Sequence, residues 1–199
     1  MQWKPQQWYA GQDVYIIGGG PSLKTFDWQR LYNKITIGCN DAYRLGPSVC
    51  NICVFADAKW HDKNGSELMA FPNPIFTSHK TFKDHKEVLW LERIDHGLAR
   101  DKLGLNGNSG CIAVNLALIL GARRVLLLGF DMKLVDKTCA NWHEFNIGKP
   151  NKKSYERFAQ GFERMAADLS TVFPGREVIN LGPDSELETF TKKYIYDFI

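Results

Sequence analysis

Val14-Tyr15-Ile16-Ile17-Gly18-Gly19-Gly20-Pro21-Ser22-Leu23 is the stretch that decides the fold. Four consecutive apolar residues, two of them isoleucine, read as a strand buried on both faces. Three glycines and a proline then stop it in a tight turn. A strand that ends in glycines lets another group approach the backbone closely. The residues that follow are expected to open a helix, whose first N–H groups and partial positive charge suit a phosphate. The alternative is a sharp turn with no ligand, in which Ser22 is only a helix cap. The pattern is not Gly-x-Gly-x-x-Gly and no acidic residue closes the next strand, so a dinucleotide site is not expected.

Further short apolar runs lie on either side. Residues 35–40, 49–57, 74–78 and 88–91 read as the second to fifth strands. Gly107-Asn108-Ser109-Gly110 leads into a helical run from Cys111 to Leu120. Asn108 or Ser109 caps its start and Gly121 its end. Arg124 to Asp131 carries the most apolar strand, Val125-Leu126-Leu127-Leu128. Tyr155, Phe158, Phe162, Met165, Ala166, Leu169 and Val172 mark one face of a long helix. Glu177 to Leu181 reads as the last strand, and Gly182-Pro183-Asp184-Ser185 turns the chain into a short C-terminal helix. Strands alternating with helices predict an α/β, Rossmann-like, doubly wound and mostly parallel sheet in a single domain over residues 1–199.

Composition sets the class. At 199 residues, with 44% apolar and 24% charged residues, the chain suits one soluble globular core. A net charge of +3 is too small to argue for nucleic acid by itself. Lys149-Pro150-Asn151-Lys152-Lys153 is the nearest approach to a basic cluster and reads as a solvated loop, or more sharply as a phosphate or DNA-backbone contact. No run approaches a membrane span, and residues 1–5 lack the apolar core of a signal peptide, so a cytoplasmic protein is expected. Five cysteines, an odd number, argue against a disulfide framework. Cys50-Asn51-Ile52-Cys53 has metal-ligand spacing but lies in an apolar run, where cysteine is an ordinary small core residue.

Ligands of doubly wound sheets bind beyond the carboxyl ends of the strands. Gly18, Gly19, Gly20, Pro21 and Ser22 follow the first strand, Asn40 and Asp41 end the second, Asp57 ends the third and Asp131 ends the one after the central helix. Asn108, Ser109 and Gly110 open that helix. Each alone is an ordinary turn or cap residue; their convergence predicts a nucleotide site. Residues 132–154 carry no apolar period and read as a lid. His143 lies in that lid, either as a solvated loop residue or as a general base.

The motifs together resemble a known group. Gly18-Gly19-Gly20-Pro21-Ser22-Leu23-Lys24, Cys39-Asn40, Asn108-Ser109-Gly110 before an Ala-containing helix, Leu128-Gly129-Phe130-Asp131 and Pro183-Asp184-Ser185-x-Leu187 are similar to the pattern of bacterial sialyltransferases of glycosyltransferase family 42. They also resemble the related motility accessory factors and hydroxymethylpterin diphosphokinases. The resemblance covers residues 13–190. It implies a nucleotide-sugar donor, CMP-linked, with inversion at the anomeric carbon and no metal. Gly19, Gly20, Ser22, Asn40 and Ser109 would hold the nucleotide, and His143 would activate the acceptor hydroxyl. Apart from the resemblance, Asp131 follows an apolar strand that leaves its carboxylate at the carboxyl edge, where it is expected either to support catalysis or to cap and orient the lid. The chain departs from that pattern where Gly19 replaces an asparagine, where Asp57 replaces another, and in a lid whose nearest aromatics are Trp142 and Phe145 rather than tyrosines. The short form fits a stand-alone, phage-encoded enzyme acting on a glycan or nucleic-acid acceptor. Asp57 and Asp131 also fit a second reading, a Mg²⁺-dependent diphosphokinase in which both carboxylates hold the ion. A third is a nucleotide-binding module without turnover.

Overall fold

A computed structural model of the chain describes residues 2–134, 141–143 and 151–199. Of the expected lid, residues 135–140 and 144–150 lie outside the described residues, and with them Cys139, Phe145, Lys149 and Pro150.

Eight strands form one sheet in the order β10-β9-β8-β1-β2-β3-β4-β5. Its central members are β1 (Asp13–Ile17), β2 (Ile35–Cys39), β3 (Ile52–Phe55), β4 (Ile75–Thr77) and β8 (Arg124–Leu128). Shorter strands β5 (Leu89–Trp90), β9 (Glu177–Asn180) and β10 (Thr191–Lys192) complete it. All seven pairings are parallel. A separate two-stranded parallel sheet joins β6 (Arg93–Ile94) to β7 (Leu103–Gly104). The strand order reverses at β1 and β8, so the crevice of this fold opens where Gly18 and Gly129 leave the sheet.

Alternation along the strands divides the core. Val14, Ile16, Val125 and Leu127 point to the face covered by α2 (Ser109–Ile119) and α3 (Lys152–Val172). Tyr15, Ile17, Leu126 and Leu128 point to the other face, against Leu23, Leu31 and Leu181. Helix α2 is buried from Gly110 to Ile119 and apolar there apart from Asn115, whose side chain bonds the backbone of Ala99 and Gly104. Helix α3 has one apolar stripe, with Phe162 and Met165 fully buried. Gly161 is required where α3 crosses the chain at Asn106: a Cβ there would collide with the Asn106 carbonyl.

Several expectations need correction. The first crossover contains no α-helix; Pro21–Leu23 and Trp28–Leu31 are single 3₁₀ turns. Helix α1 (Ala58–Leu68) was not legible, because its buried face is Trp60, Asn64, Gly65 and Leu68, half of it polar or bare. The expected C-terminal helix is instead β10 followed by the 3₁₀ turn Ile195–Asp197. The third strand is confined to Ile52–Phe55 within the expected 49–57. Among the described residues, no helix is long and apolar enough to cross a membrane.

Candidate nucleotide site

A cleft of about 940 Å³ runs along the carboxyl ends of β8, β1, β2, β3 and β4. Eleven of the twelve residues singled out in the sequence line it: Gly18, Gly19, Gly20 and Pro21; Asn40 and Asp57; Asn108, Ser109 and Gly110; Asp131 and His143. Ser22 does not. Its backbone N–H donates to Asp131 Oδ2 at 2.8 Å.

That bond changes the reading of the glycine turn. The N–H of Gly18 donates to the Leu128 carbonyl at 2.8 Å and that of Gly20 to the Gly129 carbonyl at 2.7 Å. The turn is stitched to the end of β8, with no α-helix N-terminus behind it and no positive φ at Gly18, Gly19 or Gly20. The glycines serve close packing instead. A Cβ on Gly20 would collide with the Asp131 carboxylate and stand 2.5 Å from the Gly129 carbonyl oxygen. One on Gly18 would stand 2.6 Å from the same oxygen. Gly19 differs, since its Cβ direction faces Asn141 Oδ1 at 2.9 Å and His143 Nε2 at 3.9 Å.

The helix N-terminus that opens on the cleft belongs to α2. Asn108 is its N-cap and accepts the Cys111 N–H at 2.9 Å. The backbone N–H groups of Ser109 and Gly110 precede that capped position, as the first orphan donors of any helix do. Ser109 Oγ donates to Asn40 Oδ1 at 3.3 Å, joining α2 to the end of β2. Asn40 holds a φ of +51°, a left-handed conformation that asparagine tolerates better than most residues.

The described part of the lid is pinned to the glycine turn. Trp142 donates its backbone N–H to the Gly19 carbonyl at 2.9 Å and its Nε1–H to the Gly18 carbonyl at 2.9 Å. Its ring packs on Trp28, 5.1 Å between centroids. Trp142, one of the two aromatics singled out in the lid, is therefore an anchor, and it holds the next residue, His143, over Gly19. Burial pushes the His143 imidazole below its ordinary value of 6.5; the Asp41 carboxylate opposes this and the Arg44 guanidinium adds to it. Asp41 is 3% exposed, accepts Trp60 Nε1–H at 2.9 Å and contacts Arg44, which also pairs with Glu67.

Asp57 and Asp131 line the same cleft but are not placed to share one ion. Asp57 caps α1 by accepting the Lys59 N–H at 2.8 Å. Asp131 is tied to Ser22. They follow β3 and β8, with β1 and β2 between, a lateral offset of about 14 Å at ordinary strand spacing. One Mg²⁺, with carboxylate oxygens at about 2.1 Å, does not bridge that offset. Among the described residues, no group of three His, Cys, Asp or Glu side chains is placed to hold a metal. Cys50 and Cys53 are core thiols, hydrogen-bonded to the Ile52 and Asn40 carbonyls.

The structure adds residues that the sequence reading missed. Tyr155 and Phe158, expected in the core stripe of α3, line the cleft from its first two turns. They are the first members of the stripe and the nearest to the lid, which was the available signal. Lys59, His79, Arg93 and Arg157 also line it; as scattered single residues they carried no pattern.

No protein-family model matches the chain, and no curated protein matches it in sequence. Two solved structures share its fold. One is the MAf glycosyltransferase from Magnetospirillum magneticum AMB-1, with a TM-score of 0.66 and 15% identity over 97% of this chain. The chain spans 35% of that protein's length. The other is the sialyltransferase CstII from Campylobacter jejuni, solved with the substrate analogue CMP-3FNeuAc. Its TM-score is 0.52, with 18% identity over 91% of this chain and 84% of that one. The chain thus has a sialyltransferase-like glycosyltransferase fold, an eight-stranded parallel Rossmann-like sheet.

Proposed function

We propose that the protein is a nucleotide-sugar-dependent glycosyltransferase, with a CMP-sugar as donor and His143 as general base. The observation that carries this reading is the placement of the His143 imidazole over Gly19, in a cleft that also receives the N-terminus of α2. The CMP-sugar analogue bound by the CstII neighbour supports the choice of donor.

The chemistry follows from the geometry. The donor phosphate lies at the N–H groups of Ser109 and Gly110, where the α2 dipole favours an anion. Asn40 and Ser109 position the nucleoside side, and Gly19 leaves room beneath the reacting centre. His143 is neutral at pH 7, because burial holds its pKa down, and it accepts the proton of the acceptor hydroxyl. The acceptor oxygen forms a bond to the anomeric carbon as the bond from that carbon to the phosphate oxygen breaks, with inversion. The electron pair leaves on CMP, whose added charge is met by the α2 N-terminus. Asp131 keeps the glycine turn closed against β8 and so fixes the floor of the site. The acceptor is a glycan or other hydroxyl-bearing molecule.

A thermal-shift series with CMP, UDP, GDP, ADP and ATP, each in EDTA and in Mg²⁺, tests the reading. CMP at 100 times its Kd stabilises the protein by about 2.7 kcal/mol. Selective stabilisation by CMP in EDTA is the expected result. Stabilisation by ATP that requires Mg²⁺ contradicts it and favours phosphoryl transfer.

A further inference from the structure

The cleft continues past the nucleotide site to the ends of β3 and β4, and three basic side chains line that wing: Lys59, His79 and Arg93. Their backbones are brought together by one residue, Thr77. It is the β-partner of Phe55, and its hydroxyl donates to the Phe55 carbonyl at 2.7 Å. The same hydroxyl oxygen accepts the His79 N–H at 3.2 Å, and the Thr77 carbonyl accepts the Leu91 N–H at 3.2 Å. Lys59 follows Phe55 by four residues, His79 follows Thr77 by two, and Arg93 follows Leu91 by two. Three chain segments that run side by side at Thr77 thus each bring a cation or hydrogen-bond donor to the same end of the cleft.

The donors of this wing are unengaged by carboxylates where it matters. Lys59 has no ion-pair partner among the described residues. Arg93 comes nearest to Asp95 through Nε, at 3.6 Å, beyond hydrogen-bond distance. His79 Nδ1 accepts the Thr81 N–H at 3.4 Å, which leaves Nε2 for a ligand. Asp57 caps α1, and Asp41 is held by Trp60 and Arg44. A planar fork, an ammonium and an imidazole N–H match the oxygens of one carboxylate or phosphate group.

We propose that this wing is the acceptor subsite and that it selects a small saccharide acceptor bearing a carboxylate or phosphate group. The proposal rests on the donor reading above, with the nucleotide at the β8–β1–β2 end and the acceptor at the β3–β4 end. A nucleic acid is disfavoured, because it needs a basic track along several phosphates. Glu92 and Asp95 flank Arg93, and the chain carries a net charge of only +3.

The test is calorimetric titration of the whole chain with glucuronic acid, glucose 6-phosphate and neutral glucose, at low and at moderate salt. The same titrations are run on the double variant Lys59→Gln/Arg93→Gln, with CMP as a separate ligand for both proteins. The expected result is that one or both acidic sugars bind while glucose does not, that salt weakens the binding, and that the double variant loses about tenfold or more in affinity. The two acidic probes show whether carboxylate or phosphate is preferred. Normal CMP binding by the double variant shows that it is folded and that its donor end is intact. Acidic sugars that bind no better than glucose, or equally well to the double variant, overturn the proposal. So does a short oligothymidylate that binds tighter than either sugar and loses that binding in the double variant. Failure of CMP to bind either protein, with the acidic-sugar result intact, leaves the anion subsite standing and overturns the donor reading alone.

Discussion

Asp131 Oδ2 accepts the backbone N–H of Ser22 at 2.8 Å, across 109 residues of chain. With Asp131 6% exposed, this bond closes the glycine turn onto the end of β8. It also separates two roles that one residue can hold. Asp131→Ala leaves the Ser22 N–H without its acceptor and is expected to cost about 1–3 kcal/mol of stability. Asp131→Asn keeps an acceptor oxygen and costs less. Urea denaturation of the two variants checks this; equal midpoints would remove the bond from the account.

Neighbouring glycines should respond differently. Gly20→Ala drives a Cβ into the Asp131 carboxylate and the Gly129 carbonyl, and overpacking of this kind costs about 1–3 kcal/mol or more. Gly19→Ala meets only the end of the Asn141 side chain, so its stability should stay within about 0.5 kcal/mol of wild type. Its methyl group points toward His143 and is expected to weaken nucleotide binding. Thermal melts and CMP titration of the pair test this. The reverse order of stabilities would contradict the geometry of the turn.

The charges around His143 set the direction of another change. Burial lowers the imidazole pKa, the Asp41 carboxylate raises it and Arg44 lowers it. Asp41→Asn removes the raising charge while keeping an acceptor for Trp60 Nε1. The His143 pKa, followed by NMR of the ring protons, is expected to fall further below 6.5. An unchanged or higher value would place the Asp41 charge out of reach of the ring.

The same depression governs activity. A base held below its ordinary pKa is deprotonated over a wider range, so the acid limb of turnover should lie below pH 6.5. His143→Ala should lower turnover by about 10²–10⁴-fold and abolish that limb, with nucleotide affinity retained. A variant that turns over normally, with its acid limb intact, assigns the base elsewhere.

The sheet was legible because its strands are unbroken apolar runs, such as Val14–Ile17 and Val125–Leu128, and these have few alternatives to burial on both faces. The strand-end residues were legible for the same reason, since the fold dictates where they gather. What escaped was set by tertiary contacts. Helix α1 buries Asn64 and Gly65, which carry no apolar signal. The glycine turn reads as a phosphate loop in sequence, yet its N–H groups go to Leu128, Gly129 and Asp131, acceptors more than a hundred residues away. Tyr155 sits at the end of an apolar stripe that continues past the core into the cleft. Lys59, His79 and Arg93 line one wing of the cleft because their segments run side by side at Thr77.

On the proposed function, a cytidine nucleotide binds with its phosphate at the N-terminus of α2. Titration of ¹⁵N-labelled protein with CMP in EDTA, followed by amide chemical shifts, tests it most directly. Saturable shifts are expected, largest at Ser109 and Gly110 and smaller at Gly19 and Asn40. Saturable binding that leaves the Ser109 and Gly110 amides unmoved, or no binding of CMP at millimolar concentration, would contradict it.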